Sequence, residues 1–111
     1  MKYILLIFFI IFQNNTYEII EINDFKRKIN KGYKIIDVRT PSEFIHGHIP
    51  NAINIDYKDL NFITEINKLR KNKPILIYCR SGNRSHEAGI IMDSLGFKRI
   101  YDLKGGYSIW N

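Results

Sequence analysis

Pro74-Ile75-Leu76-Ile77-Tyr78-Cys79-Arg80-Ser81-Gly82-Asn83-Arg84-Ser85 reads, left to right, as a strand, a short loop and the start of a helix. The run from Pro74 to Tyr78 has no polar alternation, which marks a buried strand. Helical spacing begins at Ser85, where Ala88, Ile91, Met92 and Leu95 share one face and Gly96 stops the pattern. The chain's only cysteine, Cys79, therefore leads a loop that empties into a helix N-terminus. Such a position offers unpaired amide N–H groups and the positive end of the helix dipole, and both favour a thiolate over a thiol. Arg80 and Arg84 add two fixed positive charges, and Gly82 suits a turn that needs positive φ.

Working outward, strands and helices alternate. Tyr17 to Ile22 reads as an edge strand, and Asn23 as the cap of a short helix in which Phe25 and Ile29 share a face. Tyr33 to Val38 reads as a buried strand. In Thr40-Pro41-Ser42-Glu43, Thr40 is the expected N-cap, Pro41 fits the first helical position, and Glu43 reaches back to the cap. Ala52 to Ile55 makes a short strand. Asp59 to Lys71 gives the clearest helical pattern, with Phe62, Ile66 and Leu69 in one stripe. A last strand spans Arg99 to Leu103, followed by a Gly105-Gly106 turn and a helical stub from Tyr107 to Trp110. This alternation predicts an α/β sandwich around a mostly parallel sheet, with the site at the carboxyl ends of the strands.

The 111 residues allow one domain, and a break at residue 16 divides a leader from it. Lys2 is followed by ten apolar residues, Tyr3 to Phe12, and then by polar Gln13-Asn14-Asn15-Thr16. One positive charge before an apolar core of this length resembles a secretory signal and is short for a bilayer span. Residues 1–16 are thus expected to be a signal peptide or an uncut N-terminal anchor, and residues 17–111 an exported, periplasmic or secreted, domain. The only membrane contact expected is through that uncut N-terminus.

The formal net charge is +6, yet the lysines scatter along predicted helices and turns, which argues for a solvated face and against nucleic acid. One cysteine makes no internal disulfide. His46 and His48 stand two apart without a second ligand pair, so no metal is expected, nor any other cofactor.

Three segments give the chain a resemblance to the single-domain rhodaneses, a family of sulfurtransferases. They are Asp37-Val38-Arg39-Thr40-Pro41-Ser42-Glu43-Phe44 running into Gly47-His48-Ile49-Pro50-Asn51-Ala52; the loop Cys79 to Ser85; and Leu103-Lys104-Gly105-Gly106-Tyr107 with Trp110. The resemblance implies a rhodanese-like three-layer sandwich, with a central, mostly parallel five-stranded sheet flanked by helices. It also implies that Cys79 is catalytic and carries sulfur as a persulfide. Arg80, Ser81, Gly82, Asn83 and Arg84 then form the loop that binds substrate and persulfide. Asp37, Arg39 and Ser85 support it, the first two chiefly as a pair that holds neighbouring loops.

Two roles for Arg84 stay open, binding an anionic donor or pinning the loop. Related phosphatases and arsenate reductases place five residues between cysteine and arginine. Here four separate Cys79 from Arg84, and the smaller loop suits one sulfur atom. The implied partners are a small sulfur donor such as thiosulfate and a thiol or cyanide-like acceptor, with a protein acceptor also open. A persulfide carrier and a non-catalytic interaction module are the alternatives. Asn51, where glycine is common, and His86 and Glu87, where small residues open the helix, depart from the family pattern.

Overall fold

The computed structural model describes residues 16–111, so the expected leader lies outside the described residues except for Thr16. Five strands form one sheet in the order β1-β5-β4-β2-β3, and every neighbouring pair is parallel. The strands are β1 (Tyr17–Ile20), β2 (Lys34–Asp37), β3 (Ile53–Asn54), β4 (Ile75–Tyr78) and β5 (Ile100–Leu103). The helices are α1 (Ile22–Asn30), α2 (Pro41–Ile45), α3 (Phe62–Ile66) and α4 (Asn83–Ser94), and a 3₁₀ turn spans Gly106–Ile109.

Alternation along the central strands builds two apolar layers. Ile75, Ile77 and Cys79 face one side with Ile36 and Val38, under Phe62 and Ile66 of α3 and Ala88 and Met92 of α4. Leu76 and Tyr78 face the other side with Ile35 and Leu103, under Phe25 of α1. Helices on both faces of a parallel sheet make the expected three-layer α/β sandwich. All four β4 residues are buried, as the unbroken apolar run requires.

Three elements differ from the sequence expectation. Helix α1 begins at Ile22 with Glu21 as its N-cap, and Asn23 lies inside it. The apolar stripe starts at Ile22, three positions before Phe25, because Ile22 packs against the same core layer as Phe25 and Ile29. The long helix expected over Asp59 to Lys71 is a five-residue α3. The Asp59 carboxylate takes the Asn61 N–H at 2.7 Å, and tight turns close through Lys68 N–H to Glu65 O and Leu69 N–H to Ile66 O. Helix α4 begins two residues early, so Asn83 and Arg84 belong to its first turn and the loop proper is Arg80-Ser81-Gly82.

Candidate active site

Cys79 follows β4 directly and sits at the carboxyl end of the sheet, where parallel α/β folds place their sites. Its Sγ accepts the Gly82 N–H at 3.1 Å and lies 3.4 Å from the Ser85 Oγ. The Ser85 hydroxyl in turn donates to Gly82 O at 3.2 Å. Ser85 is buried on the first turn of α4, so the loop's return into the helix brings it under the sulfur. Gly82 has φ +122°, outside the range side-chain-bearing residues favour, and this aims its N–H back at Cys79. The residue Cys79 is 1 % exposed, while its sulfur turns toward the loop.

The other loop residues take different places. Arg80 and Ser81 form an exposed rim. Asn83 is exposed at the start of α4. Among the amides of the expected binding loop, Arg80 to Arg84, Gly82's is the one that donates to the sulfur. Arg84 turns away from the sulfur and grips Glu43 with both terminal nitrogens, at 2.6 and 3.0 Å. Of its two expected roles, the geometry is that of pinning.

Glu43 serves two neighbours at once. It completes the capping box with Thr40, and it receives the Arg84 fork. The Arg84 guanidinium, helped by Thr40, holds the Glu43 carboxyl down at about 2, against the cost of burial.

The expected pair Asp37–Arg39 forms, at 2.7 Å, and is buried. It lies in the opposite layer from Cys79. Asp37 also accepts the Tyr78 hydroxyl at 2.7 Å, and Tyr78 accepts the Ile49 N–H at 3.1 Å. Arg39 reaches Gly47 O at 2.7 Å and lies over the Tyr107 ring. This knot fixes the loops around β4 without touching the sulfur.

Several contributors were not visible in the sequence. Gly106 packs on the cysteine loop so closely that a Cβ there would lie 2.4 Å from Cys79 O. The next two amides, of Tyr107 and Ser108, donate to Cys79 O at 2.7 Å and Arg80 O at 3.0 Å. Asp102, on β5, is buried, accepts the Tyr17 hydroxyl through Oδ2 and leaves Oδ1 without a partner. Ser85 lies near enough to draw its pKa down, although the Ser85 hydroxyl is committed to Gly82 O. Burial outweighs these neighbours and pushes Asp102 up to about 6. Burial and Asp102 together raise the Tyr17 phenol. Polar residues buried in strands carry no local signature, so only the pairing of β1 with β5 reveals this cluster.

The histidines lie apart from the sulfur. His46 and His48 bond through Nδ1 to Ser42 O and Phe44 O, and His86 is exposed beside Tyr17. Among the described residues, no three of His, Cys, Asp and Glu come together in a way that holds a metal ion.

Residues 21–111 match the family model described as "Rhodanese-like domain". The senescence-associated protein DIN1 of Raphanus sativus is 39% identical over 89 residues, which cover 71% of this chain and 49% of that protein. The chain thus spans about half the length of that curated relative. Thiosulfate sulfurtransferase 16, a chloroplastic protein of Arabidopsis thaliana, is 35% identical, with 71% of this chain and 74% of that one covered. Among solved structures, a rhodanese-related protein from Thermoplasma volcanium superposes with a TM-score of 0.75 at 35% identity, covering 85% of this chain and 90% of that one.

Proposed function

The chain belongs to the rhodanese-like domain family, and from that premise we propose that it is a sulfurtransferase working through a Cys79 persulfide. The observation that carries this reading is the sulfur's setting. Cys79 Sγ meets an amide N–H and a hydroxyl at the mouth of a twelve-residue helix. The Gly82 N–H suits an anionic sulfur, and the first amides of α4, which have no acceptor within the helix, add to the field.

The reaction is a double displacement. The Cys79 thiolate attacks the sulfane sulfur of a thiosulfate-like donor. A new S–S bond to Cys79 forms as the donor's S–S bond breaks, and sulfite leaves with the electron pair. A thiophilic acceptor, cyanide or a thiolate, then attacks the outer sulfur, and the Cys79 thiolate leaves. No proton acceptor beside the sulfur is required if the thiolate is already formed. The near-complete burial of Cys79 favours a slim donor that presents one sulfur end-on over a tetrahedral oxyanion that needs several donors at once. A thiosulfate sulfurtransferase among the relatives supports the donor class. The leader composition, Lys2 followed by Tyr3 to Phe12, supports an exported setting.

The test is transfer from thiosulfate to cyanide, read as thiocyanate. The native protein turns over with ping-pong kinetics, and Cys79→Ala abolishes the activity. Turnover retained in a clean Cys79→Ala preparation overturns the reading.

A further inference from the structure

Scattered in sequence, the lysines and arginines are gathered by the topology. All strands run parallel, so the loops entering them share the end of the sheet opposite Cys79. Lys31 and Lys34 stand before or at the start of β2, Arg70, Lys71 and Lys73 precede β4, and Lys98 and Arg99 precede β5. These loops are contiguous. Lys31, Lys34, Arg70 and Lys73 line one groove, Lys98 N–H donates to Lys71 O at 3.1 Å, and Ile100 N–H donates to Thr16 O at 2.8 Å. None of the seven takes part in an ion pair among the described residues. Asp93 is the one acidic residue that shares a groove with them. Elsewhere in residues 16–111, nine basic residues face ten acidic ones, so the domain's positive excess resides at this end.

The same end is where the described chain begins. Thr16 lines a groove with Lys98 and Arg99, and the apolar run Tyr3 to Phe12 lies just upstream in sequence. An apolar anchor beside a dense basic surface is the pairing that holds a protein on an anionic bilayer, since either signal alone binds marginally. We infer that this basic end docks on an anionic lipid surface, with the N-terminal apolar segment retained as its companion anchor. The Cys79 end then faces away from the bilayer, open to donor and acceptor. The inference is independent of the sulfur chemistry.

The test is co-flotation of the chain of residues 1–111 with phosphatidylcholine vesicles, with and without phosphatidylglycerol, across a salt series. Binding is expected to strengthen with the anionic lipid and to weaken as salt rises. The variant Lys34→Glu/Arg70→Glu/Lys73→Glu is expected to lose the anionic preference by roughly a hundredfold in affinity. The same charge reversal at Lys26, Lys58 and Lys104, placed away from this end, leaves most of the preference. Equal losses in the two triple variants, no preference for anionic vesicles in the native chain, or tighter salt-sensitive binding to duplex DNA or RNA through the same residues overturns the inference. The native chain's salt dependence reads out the proposal even if the first variant fails to fold.

Discussion

Gly82 and Gly106 are both needed around Cys79, for different reasons that mutation separates. At Gly82 a Cβ meets nothing within 4 Å, so the cost of Gly82→Ala is backbone conformation alone. Strain of about 1–3 kcal/mol at φ +122° is relieved by turning the loop, which takes the amide off the sulfur. Sulfur transfer is expected to fall roughly tenfold or more with little change in melting temperature. At Gly106 the added Cβ strikes the backbone of Cys79 and Arg80, so Gly106→Ala is expected to lower both melting temperature and activity. A thermal melt beside a transfer assay distinguishes the two, and matching profiles for the two variants would contradict the assignment.

Asp102 gives a second residue-scale prediction. Its pKa is raised from 3.8 to about 6 by burial, so the folded state prefers the protonated form. Stability from this group is complete below about pH 4 and is lost as the pH climbs through about 6. Asp102→Asn is expected to flatten that window by about 3 kcal/mol in urea unfolding. An unchanged slope between those pH values would show that the carboxyl is not the titrating group.

Among the elements, the starts of α2 and α4 are tied together by one carboxylate. Glu43 caps α2 and clamps Arg84 in the first turn of α4, holding the cysteine loop from the side. Its pKa is lowered from 4.5 to about 2, so its contribution is present above about pH 4.5 and lost as the pH falls toward 2. Glu43→Gln is expected to remove about 1 kcal/mol, after allowance for partial exposure, above pH 4.5 and nothing near pH 2. Equal losses at both ends of that range would contradict the clamp.

The capping box was legible because Thr40, Pro41 and Glu43 are neighbours. The grip on Arg84, 41 positions away, was not. Strand β4 was legible because burial on both faces leaves an unbroken apolar run. Helix α3 was overread, since the stripe Phe62, Ile66 and Leu69 persists through tight turns as well as through a regular helix.

At the scale of the whole molecule, the buried pair Asp37–Arg39 joins β2, the hydroxyl of Tyr78 on the face of β4 opposite Cys79 and the loop at Gly47. Burial opposes the Arg39 charge, and Asp37 more than offsets it, raising the guanidinium pKa. Arg39→Met leaves the Asp37 carboxylate buried without its cation and is expected to cost about 3–5 kcal/mol in denaturant unfolding. A cost below about 1 kcal/mol would mean that the pair is dispensable. Pairing at this spacing was readable from Asp37 and Arg39 themselves, while its place in the layer opposite Cys79 required the strand's alternation. The gathering of basic residues at one end was invisible in the sequence, because only parallel strand order brings those loops together.

The account turns on whether Cys79 takes up sulfur, and intact-mass spectrometry after exposure to thiosulfate answers that directly. The native chain should gain the mass of one sulfur atom, localised to Cys79, and lose it on treatment with cyanide or a thiol reductant. A chain that shows no such adduct over repeated donor treatment, or one that keeps it after Cys79→Ala, would contradict the account.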